Sequence, residues 1–266
     1  MIHTDPAIRF RFGLTPLEKV IPWGAGHPVL HWFALTDGWY CIDLDGHEVL
    51  RYSERTVQEL RSDSDGRQPH PYVDYYVVRL WEDMIALVSD AMEPVPQDLV
   101  DLAADTSPDW VWLDAPEAEA VMTWHSAGYL YTSYLRIAPH VRFWRTVIGE
   151  DDTVNVTWEH QADPEGVIEF AGPQSGQVTM ATNEFLAAVI ELDRALFAAM
   201  DQRISELEES SDPVPGVELD VEQLRREHRD RATWLQRARD RDPGTDWDAV
   251  RIGAHMLLAP STAAED

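Results

Sequence analysis

Between residues 183 and 209 apolar side chains return every three or four positions. Phe185, Val189, Leu192, Leu196, Met200 and Ile204 form one stripe, and Leu186, Ile190 and Phe197 widen it. At 1.5 Å per residue a helix over this span is about 40 Å long, enough to cross a whole sheet. The rest of the chain therefore has to supply a surface of that extent.

Two β-rich blocks precede the stripe. Ile8, Phe10, Phe12 and Leu14 alternate with Arg9, Arg11 and Gly13, the period of a half-buried strand. The segment LHWFALTDGWYCIDLDGHEVLRY follows, with two Asp-Gly pairs, Asp37-Gly38 and Asp45-Gly46. Asp-Gly suits a type I′ turn, in which both central residues need positive φ. The spacing predicts a three-stranded antiparallel meander over 29–35, 39–44 and 47–52. A second β region spans 129–181: HVRFWRT and TVNVTWEH flank the acidic turn Gly149-Glu150-Asp151-Asp152, and shorter strands are expected at VIEF and QVTM.

Helices fill the intervals. Val77, Leu80, Trp81, Met84, Val88 and Ala91 predict a helix over 73–92, stopped by Pro94 and Pro96. A short helix is expected over 97–104, and one from Asp114 to about His125, with Asp114 and Glu117 as a capping box and Gly128 past its end. Beyond SSDPVPG (210–216), the best linker candidate, helices are expected over 220–240 and 246–258, opened by Asp220/Gln223 and Thr245/Asp248. The tail STAAED is expected to fray. Strands and helices come in blocks without strict βαβ alternation, so the fold class is α+β, with antiparallel sheets packed against long amphipathic helices. The organisation read from this is an α+β domain over 1–211 and a C-terminal helical extension, 217–266, packing on it.

Charge is the compositional outlier: 48 acidic residues against 21 basic ones over 266 positions give −27, and Lys19 is the one lysine. Such a surface repels nucleic-acid phosphates and anionic membranes and attracts basic partners. Cys41 is the single cysteine, so no intramolecular disulfide can form, which fits a reducing compartment. MIHTDPAIRFRFG lacks the basic-then-apolar pattern of a signal peptide, and no apolar run approaches the ~18 residues of a membrane span. A cytoplasmic location is the expectation.

Motifs that carry chemistry are sparse. The sequence holds no Gly-x-Ser-x-Gly elbow, no Ser-x-x-Lys, no phosphate-binding glycine loop and no HExxH. Asp43, Asp45 and His47 are spaced by two around a turn, without the full Asp-x-Asp-x-Asp-Gly loop of a calcium site. No metal and no cofactor are expected. Eleven tryptophans are present, and Trp23, Trp32, Trp39 and Tyr40 gather in the N-terminal block. Exposed together, such rings anchor partners; packed inside, they supply core area. The Trp32/Trp39 pairing across the expected hairpin invites inspection. Residues 225–241 carry seven arginines against three acids, a reversal that reads as an anion-contact surface or as a helix docked on its own acidic body.

LHWFALTDGWYCIDLDGHEVLRYS, YVDYYVVRLWEDM, MEPVP, YLRIAPHVRFWR with DTVNVTWEH, EFLAAVIELDRALFAAMDQRI and the late TDWDAV together resemble a family of uncharacterised actinobacterial proteins recorded as a domain of unknown function. The resemblance covers most of the chain. It brings no activity and no catalytic residues. Cys41 stands where that pattern leads one to expect tryptophan or another large apolar residue.

The leading functional expectation is a non-enzymatic binding protein, immunity- or antitoxin-like, that captures a basic protein partner through an acidic aromatic face. His31, Trp32, Asp37, Trp39, Asp43 and Asp45 are the candidate binding residues. The alternative is an enzyme or small-molecule binder with a cleft between the two β regions, using His31, Asp37, Asp43 and Glu159. A third reading is a homodimer through the Arg-rich C-terminal helix.

Overall fold

The computed structural model describes residues 6–24, 26–61, 70–106, 108–209, 217 and 219–258. The linker candidate 210–216, most of RSDSDGRQPHP (61–71), whose composition reads as a polar loop, and the tail STAAED lie outside them. The fold is α+β with two antiparallel sheets.

The first sheet contains β1 (Ile8–Leu14), β2 (Asp37–Leu44), β3 (His47–Glu48) and β4 (Val73–Tyr76). β1 pairs along the whole of β2, from Ile8 opposite Leu44 to Leu14 opposite Gly38, and β3 and β4 share the other edge of β2. The meander predicted for 29–52 is thus only half right. Asp45-Gly46 does form the turn, with positive φ at both residues. Asp37-Gly38 lies inside β2, and residues 29–35 form no strand: Val29 makes one bridge to Trp23, and Ala34–Thr36 is a 3₁₀ turn. Gly38 serves close approach instead, because a Cβ there would overlap the carbonyl oxygen of Gly13 on β1.

α1 (Glu54–Arg61) follows the first β block. The helix expected over 73–92 is divided between β4 and α2 (Val77–Asp90), since Val73–Tyr76 pair with β2 before the chain winds up. A 3₁₀ turn, Gln97–Leu99, leads into α3 (Val100–Ala104). α4 (Pro116–Ala127) opens on Pro116 with no side-chain cap, so the Asp114/Glu117 box does not form.

β5 (His140–Ile148), β6 (Asp151–Glu159) and β7 (Ser175–Ala181) make the second sheet in that order. β5 and β6 form the expected hairpin, but its turn is the two residues Gly149-Glu150: Asp151 and Asp152, expected in the turn, already pair with Ile148 and Val147. VIEF contributes one bridge, Phe170 to Tyr52, and no strand. α5 (Thr182–Glu209) buries the whole predicted stripe and touches β1 of one sheet and β6 and β7 of the other. It is the girder that unites them in one core.

The helix expected over 220–240 is two, α6 (Val221–Arg231) and α7 (Trp234–Arg239); the interruption lets Trp234 stack 5.6 Å from Trp81 of α2. Asp220 caps α6 through the Gln223 N–H at 2.8 Å. α8 (Trp247–Leu258) is capped by Asp246, which accepts the Ala249 N–H, and not by the Thr245/Asp248 box. α8 lies along α4 and forms a second, smaller core with α3 and Trp144 of β5. The arginines of α6 and α7 dock on the body's own acids: Arg225 on Asp201 and Glu208, and Arg231 on Glu82.

Candidate functional site: an acidic cleft at the ends of α2 and α4

The residues singled out in the N-terminal block do not converge. Trp32 is fully buried, 5.8 Å from Phe197, with the Arg231 guanidinium 4.7 Å over its ring and its Nε1–H donated to His228 Nδ1 at 3.3 Å. Trp39 is half-buried and stacks on Tyr72 at 4.8 Å, its indole lying on Gly13. The two tryptophans share no contact across a hairpin. His31 packs edge-on against Trp23 at 4.5 Å and accepts the Ala34 N–H. Asp37 opens β2. Asp43 organises the turn by accepting the Gly46 N–H at 2.9 Å, and Asp45 is exposed at its tip. Glu159, at the end of β6, accepts from Thr106 Oγ1. Cys41 is buried, and that burial pushes its thiol up to about 12, which removes it as a nucleophile. Among the described residues no three His, Cys, Asp or Glu side chains are grouped to hold a metal.

Clefts instead open where α2 and α4 both end. A backbone reversal fixes this place: Pro94 and Pro96 follow α2, and Gly128 closes α4 with its N–H on the His125 carbonyl. Arg142 of β5, 1% exposed, seals the end of α4 from behind. Its Nη1 donates to the His125 carbonyl at 2.5 Å, its Nε to the Ala103 carbonyl, and its guanidinium carbon sits 4.8 Å over the Tyr129 ring. A cation at a helix C-terminus is favoured by the dipole, while burial lowers this guanidinium to about 10, still protonated at neutrality. Burial and the adjacent Arg142 charge together lower His125 to about 4. His125 is therefore neutral, with Nε2–H donated to the Asp105 carbonyl at 3.1 Å. Tyr129 donates to the Thr106 carbonyl at 2.6 Å. These bonds tie the back wall to α3, α4 and the segment after α3.

In front of it lies a cleft of about 660 Å³. Ala86 and Asp90 of α2, Ser126 and Ala127 of α4, and Tyr129, Tyr131 and His140 line it, with Tyr131 68% exposed at the rim. The segment that carries Tyr131 is tethered by its neighbour Tyr134, whose hydroxyl donates to Asp83 of α2 at 2.8 Å and accepts from Tyr40 at 3.3 Å. On the other side of α4's last turn a second cleft, about 500 Å³, is lined by Glu119, Thr123, Trp124, Asp246 and Arg241. The two share Asp90 and Ala127. Arg241 is the one Arg or Lys lining either, among the described residues, and it is already held by Asp90 and Ser89, each at 2.9 Å. Asp90, Glu119 and Asp246 thus bring carboxylates beside apolar and aromatic walls; the C-terminal ends of α2 and α4 add negative potential, while the second cleft also reaches the first turn of α4 and the start of α8, where Asp246 is the cap.

With that geometry in place, comparison with family models is decisive on kinship. Residues 9–253 match the model of a family of unknown function (DUF5984). The chain belongs to that family. No curated protein and no solved structure matches this DUF5984 member. Among its described residues no helix is long and apolar enough to cross a membrane.

The clefts were missed in the sequence, but a signal for them existed. From residue 80 to residue 135, between Arg79 and Arg136, there is no lysine or arginine, and eleven Asp and Glu occur there. That interval supplies almost the whole wall of the larger cleft and just over half of the second, whose remainder comes from Arg241 to Val250.

Proposed function

We propose that this DUF5984 protein is a non-enzymatic binding protein that captures a basic protein partner, as an immunity protein or antitoxin occupies a basic effector, and that it works in the cytoplasm. The face it uses is the pair of clefts around the end of α4, not the N-terminal block. The observation that carries the reading is the fate of the cations. Arg225, Arg231, Arg237, Arg241 and Arg251 are all spent on the chain's own carboxylates, and Arg142 and Arg203 on backbone carbonyls. Apart from Arg241, itself held by Asp90, the clefts are left with carboxylates and aromatic rims. Such a site suits an arginine or lysine with an apolar neighbour: the cation takes the position Arg241 now occupies at Asp90, and the neighbour packs on Tyr131 or Trp124. Net charge speeds the encounter and turns nucleic acid away.

The test uses labelled dodecapeptides of net charge about +4, with and without aromatic residues, titrated at two salt concentrations. Glu119→Lys and Tyr131→Ala alter exposed side chains for which the structure gives no ion pair or hydrogen bond. Each is expected to weaken the aromatic-containing peptide at least about tenfold. Equal affinity for the variants, or affinity that follows peptide charge alone, defeats the proposal.

A further inference from the structure

The outer edge of the second sheet carries an independent message. Backbone bonding fixes which groups face out. On the far side of β5, the Val141 and Arg145 carbonyls accept from Leu130 and Val95, and the Phe143 N–H donates to Gly128. Odd-numbered residues of β5 therefore point away from β6, and even-numbered ones bond to it. Their β6 partners are Thr157, Asn155 and Thr153, which leaves Val154, Val156 and Trp158 to bond Met180, Val178 and Gly176 of β7. Backbone N–H and C=O groups of Ser175, Gln177 and Thr179 and the Ala181 N–H consequently face outward, while the Ala181 carbonyl opens α5 by accepting its first intrahelical N–H.

This edge lacks every usual guard. From Phe170 to Asn183, between Glu169 and Glu184, there is no ionisable side chain, and β7 has no proline within it and no bulge in its pairing with β6. The other outer strands are protected: β1 carries Arg9 and Arg11, and the edge of β5 is covered by the bonds just described. Ser175, Gln177, Thr179 and Ala181 are exposed on the open face of the sheet, small or neutral, in a chain of charge −27.

We propose that β7 pairs antiparallel with β7 of a second copy, making one continuous six-stranded sheet. A two-fold axis at Val178 sets Gln177 opposite Thr179 of the second copy, exchanging both backbone bonds, and Ser175 opposite Ala181, whose N–H donates while its carbonyl serves α5, about six bonds in total. A second copy is the occupant the charge pattern selects. Two bodies of −27 repel least when they meet along an uncharged strip, and salt screens what remains, whereas a basic partner gains nothing there. The arginines of α6 and α7 offer no rival dimer surface, being largely paired within the chain.

The experiment is sedimentation equilibrium of the full chain at high micromolar concentration in low salt and in about 0.5 M salt, which shortens the screening length to a few ångström. The expected mass is about twice 30.3 kDa, with association strengthened by salt. Gln177→Pro removes an outward N–H and no bond to β6, so it is expected to give a folded monomer. Gln177→Glu keeps the backbone and sets two carboxylates near the axis; it is expected to dissociate the dimer in low salt and restore it in high salt. Hydrogen exchange adds a readout independent of either variant: the Gln177 and Thr179 amides become protected on association, while Val178 is protected throughout. A monomer at both salts, a dimer indifferent to Gln177→Glu, or unprotected Gln177 and Thr179 amides in the dimer overturns the proposal.

Discussion

Replacing Asp83 by asparagine isolates one buried charge and the tether of the cleft wall. Asp83 is 8% exposed, and burial, only partly offset by the Tyr134 hydroxyl, pushes its carboxyl from 3.8 up to about 7. The folded state then holds this proton across an interval in which the unfolded chain has released it. Stability from this group is complete below the unfolded pKa and is lost as pH rises through the folded one. At 1.36 kcal/mol per pH unit, the loss between about pH 5 and pH 8 is on the order of 3 kcal/mol. His125 acts in the opposite direction: lowered to about 4, it costs stability as pH falls from 6.5 towards 4. The two contributions therefore nearly cancel between about pH 4 and 6.5, and above about pH 7 neither group adds any further pH dependence. Asp83→Asn keeps an acceptor for Tyr134 and cannot ionise. Urea unfolding of both proteins at a series of pH values, read as the difference between them, removes His125 and every other common group. The difference should grow in favour of the asparagine variant by about 3 kcal/mol from pH 5 to pH 8. A difference that does not change with pH refutes the assignment of a buried, protonated Asp83.

Two further substitutions probe the α4–α8 half. Gly253→Ala sets a Cβ into the Glu117 carbonyl of α4, so the helices must separate; a loss of about 1–3 kcal/mol in thermal or urea unfolding is expected, and an unchanged midpoint contradicts the packing. Arg142→Met removes the guanidinium donor from the Ala103 carbonyl and leaves the His125 carbonyl with the long Gly128 bond alone, and is expected to cost about 3 kcal/mol. Because the Arg142 charge helps to hold His125 down, the His125 ring in that variant titrates closer to its ordinary value by NMR, an effect that loss of packing alone does not produce.

What the residue pattern disclosed was local. The α5 stripe, the alternation of β1 and the β5–β6 hairpin each satisfy a pattern within one segment, and each appears, the hairpin with a turn two residues shorter than the one read. What it concealed was set by contacts distant in sequence. Asp37-Gly38 has the chemistry of a turn, yet the glycine answers to Gly13 across the sheet. No breaker interrupts 220–240; the chain divides at Ala232-Thr233 where Trp234 meets Trp81 and Arg231 reaches Trp32. Clustering of Trp32 and Trp39 in sequence suggested one aromatic face, but helix α6 covers the first and Tyr72 the second. The site's own trace was a missing residue type, the absence of Lys and Arg over 80–135, and an absence has no motif.

Acidic cleft and uncharged edge occupy opposite sides of one sheet, and this bears on how they work together. Tyr129 bridges to Arg142 on β5, so the cleft lies at the β5 margin, while the free backbone belongs to β7. Pairing of β7 with its copy gives the strand order β5-β6-β7-β7-β6-β5. The two β5 strands are then five interstrand spacings, about 24 Å, apart, and each cleft sits beyond its own β5. Association through β7 thus leaves both clefts open and directs them to the two ends of the assembly. A partner with two basic segments at that span is held by both at once, with the second contact formed at the high effective concentration of a tethered site. A partner with one basic segment gains nothing from the dimer. Comparing a monovalent cationic peptide with its tandem repeat, on the natural chain and on Gln177→Glu in low salt, therefore separates the two surfaces. Avidity for the tandem peptide must vanish in the variant while affinity for the single peptide stays the same.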